Sequence, residues 1–281
     1  MFIIISIKAT FLIHEDYIRS ITSKDDVVVM PGKPRPPQPC AIIYGRRARY
    51  KGSKATFYIN SEQLTRKVID VSRRLSFALL KNSFYCDYSQ VNLELLRQAG
   101  GDALKDKTLY WVPYQYKDAE VAKLRGYMKV EPICDVAVIG SSGHRQAIMA
   151  DLRKRGMKVI HVQGFSWKRD ARVPQAKILL NLHISPDAQV FEHIRCDRWI
   201  FAGMPVVSEE CLHTNLLDVK PLVTFFPVSM LGDGLQGILD RWDDFHREWK
   251  EVHAKVIPEI RRVREDHLQI LRDAYAEHEE K

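Results

Sequence analysis

The residues with the clearest chemical reach lie just past the middle of the chain, in Ile139-Gly140-Ser141-Ser142-Gly143-His144-Arg145. They follow an apolar run that reads as a strand. Glycine and serine let the backbone turn tightly into the next helix. The first N–H groups of that helix have no intrahelical partner, and its dipole is positive at that end. A phosphate fits such a turn, with Ser141, Ser142 and Gly143 around it. Arg145, in the first helical turn, would add a charge-assisted bond. The segment lacks the three spaced glycines of a dinucleotide fingerprint. The next strand, ending His161-Val162-Gln163, brings no acid for a ribose, and the P-loop pattern is not met. Taken alone, it is also what an ordinary strand-to-helix turn looks like.

A second group lies in residues 177–210. A strand ends at His183, and Ser185 or Asp187 would cap a helix read over 188–201. Glu192 and Arg195 are three apart and share a face of that helix. A carboxylate there accepts hydrogen bonds from sugar or ribose hydroxyls, and an arginine clamps a pyrophosphate. The plainer reading is an i,i+3 ion pair that contributes little. Position favours the functional one, because the helix follows a strand at the carboxyl edge of a sheet, where open α/β folds bind ligands. The next strand carries Ser208, Glu209 and Glu210 to the same edge.

In the first half, Asn60-Ser61-Glu62-Gln63 and Asp87-Tyr88-Ser89 each follow a strand. Glu62 and Asp87 are candidates for a base or an acceptor anchor, although Ser61 and Ser89 read equally well as helix caps. His14-Glu15, after the first apolar run, is a third candidate base.

The elements that must position these groups alternate between strand-like and helical patterns, which signals parallel sheets with crossover helices. In the first half, strands are expected at 2–7, 26–30, 40–44, 56–59, 84–87 and 108–112, and helices at 63–81 and 89–99. The proline-rich 31–39 reads as an extended surface loop. The pattern restarts near 128–132. Strands then read at 133–140, 157–162, 176–182, 204–208 and 222–225, and helices at 144–155 and 188–201. These set three regions, 1–128, 129–233 and 234–281, the last read as charged C-terminal helices packing back, interrupted at Pro258. Trp242, Phe245, Trp249, Val252 and Val256 recur there at helical spacing and read as a packing stripe.

The formal net charge is +8, which favours an acidic partner such as a nucleotide phosphate, nucleic acid or an anionic membrane surface. The five cysteines are odd in number and show no CxxC pair. That argues against a disulfide framework or a zinc site and for a reducing, cytoplasmic setting. The apolar N-terminus reads as a buried first strand, and no apolar run reaches the roughly 18 residues of a membrane span.

The run from KILLNLH through FEHIRCDRWIFAGMPVVSEE resembles the C-terminal signature of a group of GT-B glycosyltransferases, the family 1-like group of bacteria and viruses. There a strand ends Asn-x-His, a helix carries Glu-x-x-Arg and a further strand ends Val-Ser-Glu. YINSEQL, CDYSQVNLELL and WVPYQY resemble segments of the first domain of the same group. The resemblance covers roughly residues 56–212. It implies an α/β fold of two Rossmann-like domains facing across a cleft. It also implies transfer of a sugar, without a metal or cofactor, from a nucleotide-diphosphate sugar to a glycan, protein or small-molecule hydroxyl. By the same resemblance Ser141, Ser142, Gly143 and Arg145 face the diphosphate, and His183, Glu192, Arg195 and Glu209 line the donor pocket, with Ser208 beside them. Glu62 and Asp87 line the acceptor side. Many retaining members carry two glutamates eight residues apart on the donor helix. Here Ile200 stands eight after Glu192.

The competing readings are a nucleic-acid-directed protein, such as a glucosyltransferase of modified DNA bases or a non-catalytic binding module, and another nucleotide-dependent Rossmann enzyme. No recognisable nucleic-acid motif supports the first beyond the charge, and the missing fingerprint weakens the second. A cytoplasmic protein, peripheral at a membrane if its basic charge meets anionic lipid, completes the expectation.

Overall fold

A computed structural model describes residues 1–5, 8–30, 33, 40–44, 54–64 and 68–280. Apart from Lys33, the proline-rich 31–39 lies outside the described residues. The chain divides into two compact units, Met1–Gln115 with Arg262–Lys281, and Tyr116–Arg261. The line between them falls at 115/116, where the sequence pattern had put it at 128.

The first unit holds a six-stranded parallel sheet. Its elements are β1 (Phe2–Ile5), α1 (Lys8–Ile21), β2 (Val27–Val29), β3 (Cys40–Tyr44), β4 (Ala55–Asn60), α2 (Val68–Ala78), β5 (Ser83–Asp87), α3 (Gln90–Gly100) and β6 (Leu109–Trp111). The strand order is β2-β1-β3-β4-β5-β6. β3 and β4 are buried along their whole length, as expected of strands covered on both faces. On one face Tyr58 and Tyr85 pack with Phe77, Leu93 and Leu96 of α2 and α3.

The second unit begins with α4 (Asp118–Tyr127), which the sequence reading did not anticipate. There follow β7 (Cys134–Ile139), α5 (Gly143–Lys154), β8 (Val159–Val162), α6 (Ser166–Asp170), β9 (Ala176–Asn181), α7 (His193–Ala202), β10 (Val206–Glu209), β11 (Val223–Phe226), α8 (Leu231–Asp240) and α9 (Trp242–Glu280), whose residues from Arg262 on belong to the first unit. Its parallel sheet has the order β11-β10-β9-β7-β8. Val136, Val138, Ile178 and Leu180 pack against Met149 and Leu152 of α5 and against Leu231, Leu235 and Ile238 of α8.

The two sheets share one winding. In each, the second strand lies on one side of the first, and the third, fourth and fifth follow on the other. The order therefore reverses between β1 and β3, and again between β7 and β9. In open α/β sheets the crevice outside the carboxyl ends of the strands at such a reversal is where ligands bind.

Four sequence expectations change. The N-terminal apolar run is a four-residue strand followed by a helix, because Tyr17, Ile18 and Ile21 recur at helical spacing and are buried. His14 therefore lies within α1, at a residue whose backbone departs from helical angles (φ −115°, ψ 17°). The helix read over 188–201 starts only at His193. The preceding residues form a loop whose Val190 and Phe191 are buried, and Ala188 N–H bonds Ser185 C=O at 3.0 Å in a local turn. Pro258 does not interrupt the C-terminal helices. It sits inside α9 on an exposed face, where the carbonyl it leaves without an amide partner can meet water. α9 is tied down on both sides of it. In the second unit Trp249 Nε1 donates to Leu222 C=O at 2.9 Å. In the first, Arg264 Nη1 donates to Tyr114 C=O at 2.8 Å and Tyr275 OH to Cys40 C=O at 3.0 Å. Trp242 and Phe245 pack on the second unit's core as expected, whereas Val252 is exposed.

Candidate functional site

At the reversal between β7 and β9, the chain leaves β7 through Gly140, whose φ of +81° suits glycine. A Cβ there would lie 2.8 Å from Arg145 Nη1, so the guanidinium fills the space that the missing side chain leaves. Ser142 caps α5, its Oγ accepting from Arg145 N–H at 3.2 Å. Ser141 Oγ accepts from Gln146 Nε2 at 2.9 Å. The opening turn of α5, from Gly143 onward, thus stands at the carboxyl edge with its N–H groups directed outward along the helix axis.

Arg145 is 3% exposed. Its Nε donates to Leu182 C=O at 2.9 Å, just beyond β9, while Nη2 is buried without a hydrogen-bond partner. Arg195, near the start of α7, reaches the same place, with Nη1 at 3.4 Å from both Leu182 C=O and Asn181 Oδ1. Two guanidinium groups therefore converge on one carbonyl at the sheet's reversal. Burial, and then the like charge of Arg195, lower the Arg145 pKa to about 10, with Glu192 and Glu209 acting the other way. It stays charged at neutral pH.

Glu192 occupies the cap position of α7 without a capping bond from its side chain, and lies 3.6 Å from Arg195 Nη2. The i,i+3 pair expected from the sequence is present, and both partners are partly exposed at the edge. Glu209, at the end of β10, is almost wholly buried. Oε1 accepts from His183 N–H at 3.1 Å, and Oε2 is 3.1 Å from His144 Nε2. It therefore braces the β7–α5 turn and the end of β9 from within. Ser208 is fully buried and turned inward, accepting from Asn181 Nδ2 at 3.0 Å and donating to Glu209 C=O at 2.7 Å. Its hydroxyl is part of the sheet's internal bonding, not of the ligand-facing surface expected from the sequence.

His183 is 2% exposed, and burial lowers its pKa. Its Nε2 is 3.0 Å from Glu210 C=O and 3.6 Å from Glu209 Oε1, while Nδ1 is buried without a partner.

The sequence reading gave no role to His144, nor to Asn181 beyond its place in the Asn-x-His strand end. His144 stood inside the motif it quoted, but its contact is to a residue 65 positions away, a separation no local pattern reveals.

In the first unit, Asp87 is fully buried. Oδ2 accepts from Asn60 Nδ2 at 2.8 Å and from Tyr85 OH at 3.0 Å. Oδ1 accepts from Asn92 Nδ2 at 2.9 Å and from Ser89 N–H at 3.0 Å. Burial raises its pKa to about 7 against the pull of those four donors. The geometry makes Asp87 an organiser of the strand ends. Of the two serines read as helix caps, Ser89 caps α3, whereas Ser61 Oγ is buried without a hydrogen-bond partner. Glu62 is exposed, and its carbonyl accepts from Asn60 and Asn92. Its charge is felt at Tyr44, whose OH is 2.9 Å from His14 Nδ1. His14 and Tyr44 thus meet beside the reversal between β1 and β3.

Among the described residues no helix is long and apolar enough to cross a membrane, and no group of three or more His, Cys, Asp or Glu could hold a metal ion. All five cysteines are free thiols.

The whole chain is similar in structure to the DNA modifying enzyme β-glucosyltransferase, crystallised with and without uridine diphosphoglucose. The TM-score is 0.52 at 13% identity, covering 98% of this chain and 100% of that one. The fold is of the GT-B type. An α1,3-fucosyltransferase structure is more distant, with a TM-score of 0.48 at 11% identity over 89% of this chain and 80% of the other. No family model matches the chain. In sequence it is similar to three uncharacterized proteins of Acanthamoeba polyphaga mimivirus. It is 35% identical to one over 190 residues (65% of this chain, 20% of that protein) and 35% identical to another over 182 (62% and 56%). It is 32% identical to the third over 217 residues (75% and 27%). The chain spans between a fifth and little more than half the length of these relatives.

Proposed function

We propose that the chain is a glycosyltransferase that moves a sugar from a nucleotide-diphosphate sugar to an acceptor hydroxyl, and that the carboxyl edge of the second sheet holds the diphosphate. One observation carries this reading. Arg145 and Arg195 meet at the Leu182 carbonyl, at the topological reversal and beside the first turn of α5. Glycosyl transfer puts growing negative charge on a departing diphosphate, and fixed cations and helix N–H groups stabilise that charge without reorganising. Glu192, partly exposed beside Arg195, is the acceptor for ligand hydroxyls. Glu209 holds His144 and the His183 backbone in place for the same ligand. In the first unit, His14 and Glu62 are the proposed bases for the acceptor, and the buried Asp87 holds Asn60 at the end of the strand that Glu62 follows.

The test is thermal unfolding of the full chain with a panel of nucleoside diphosphates and their sugars. At least one is expected to raise the melting temperature, and Arg195→Ala to abolish the shift while changing the unliganded stability by no more than about 0.5 kcal/mol. No shift with any of the panel would remove the reading.

A DNA acceptor is the second reading, favoured by the net charge of +8 and by likeness over the full chain to a DNA modifying enzyme. Duplex binding that weakens steeply with salt supports it, and absence of binding at low salt disposes of it.

A further inference from the structure

We infer that His183 offers an unshared electron pair on Nδ1 to a hydroxyl of the ligand, so that the site selects a diphosphate carrying a sugar over diphosphate itself. The inference rests on the diphosphate reading of the site and adds the chemistry of the group attached to it. Two oxygen acceptors face His183 Nε2, namely Glu210 C=O at 3.0 Å and Glu209 Oε1 at 3.6 Å, with Cys211 Sγ at 3.7 Å, whose thiol donates to Glu209 C=O at 3.4 Å. A ring nitrogen between two acceptors carries the proton. A neutral imidazole has only one, so Nδ1 is left as an acceptor. Burial favours the neutral ring. Nδ1 is buried without a hydrogen-bond partner, and buried polar atoms in folded proteins are rarely left so.

The chemistry of the missing partner follows. A phosphate oxygen carries lone pairs and would meet the lone pair of Nδ1 unfavourably, whereas a hydroxyl can donate. His183 is the residue immediately after Leu182, whose carbonyl receives both arginines. The hydroxyl it accepts from therefore sits close to the phosphate those arginines hold. Ribose and the transferred sugar both present such a group. Glu192 and His144, whose influence is felt at His183, are partly exposed at the same edge. Arg145 Nη2, buried and unpartnered at the same edge, is a donor and matches the phosphate. The two unsatisfied nitrogens are thus of opposite kind, as a sugar phosphate requires.

The test is calorimetric titration of the full chain. The probes are pyrophosphate, uridine and guanosine diphosphates, their 2′-deoxy and 3′-deoxy counterparts, and uridine diphosphoglucose. The proteins are wild type, His183→Phe and His183→Asn, whose amide oxygen can stand where Nδ1 does. In the wild type, one deoxy probe is expected to bind about tenfold more weakly than its parent, if the hydroxyl is that of ribose. If it is that of the transferred sugar, the sugar nucleotide outbinds the diphosphate by a similar factor. In His183→Phe that discrimination disappears while pyrophosphate affinity stays the same, and His183→Asn keeps it. A parallel loss of pyrophosphate and nucleotide affinity in His183→Phe would overturn the inference, since Nδ1 would then be donating to phosphate. So would equal discrimination in wild type and His183→Phe. If no probe binds the wild type, the diphosphate reading itself fails and takes this inference with it.

Discussion

The carboxyl edges of the two sheets are built alike and finished differently. Each carries an asparagine at the end of a central strand that bonds across to its neighbour, Asn60 to Asp87 in the first and Asn181 to Ser208 in the second. In the first, the buried charge is enclosed by its own fold, with each Asp87 oxygen taking two donors. In the second, two buried side chains, Arg145 and His183, keep a nitrogen that nothing in the fold satisfies. Polar groups that the protein satisfies itself contribute to stability. Polar groups left unsatisfied in a buried place cost stability. Ser61 Oγ is also buried without a partner at the first edge, so the difference is one of kind: a neutral hydroxyl there, a guanidinium and an imidazole nitrogen at the second, and the proposed ligand site rests on that difference.

The largest test of this contrast is Asp87→Ala. It strands four buried donors and should lower unfolding free energy by about 3–5 kcal/mol, measured by denaturant titration. The pH dependence sharpens it. Burial lifts Asp87 to about 7, above the ordinary carboxylate near 4. The folded chain therefore keeps a proton there that the unfolded chain has released. Stability should fall as pH rises between those values, and Asp87→Asn should flatten that slope.

Arg145→Met should show the opposite pattern. It keeps most of the volume and removes a buried charge whose bonding is incomplete, so unliganded stability should hold or rise. Nucleoside diphosphate affinity should drop about 100-fold, the equivalent of ~2.7 kcal/mol. A variant as unstable as Asp87→Ala would break the comparison.

Gly140→Ala should cost roughly 1–2 kcal/mol of stability for a non-glycine residue at positive φ. It should also push Arg145 aside, weakening diphosphate binding about tenfold in the same titration. Ser142→Ala is the smallest change. Loss of the α5 cap should cost about 1 kcal/mol, read from the thermal midpoint.

Much of the architecture was legible because it is written locally. The apolar run before Gly140 read as a covered strand, and the glycine–serine turn marked the start of a helix at that strand's end. Ser89 as a cap and Glu192 paired with Arg195 are likewise short-range facts. The start of α7 was misread because Val190 and Phe191 look like the face of a helix, when they are instead buried by the loop they belong to. Pro258 was read as a break because sequence shows the lost hydrogen bond but not the solvent that replaces it.

By itself the sequence determined the alternation of strands and helices, and which residue types stand at strand ends, because both follow from periodicity and turn chemistry within a few residues. Only the tertiary structure decided which of those polar groups are enclosed and which are left wanting. Ser208 was turned inward, Asp87 surrounded, and Arg145 and Arg195 brought to one carbonyl by strands paired out of sequence order. The completeness of a hydrogen-bond set depends on partners tens of residues away, and those are set by the winding of the sheet.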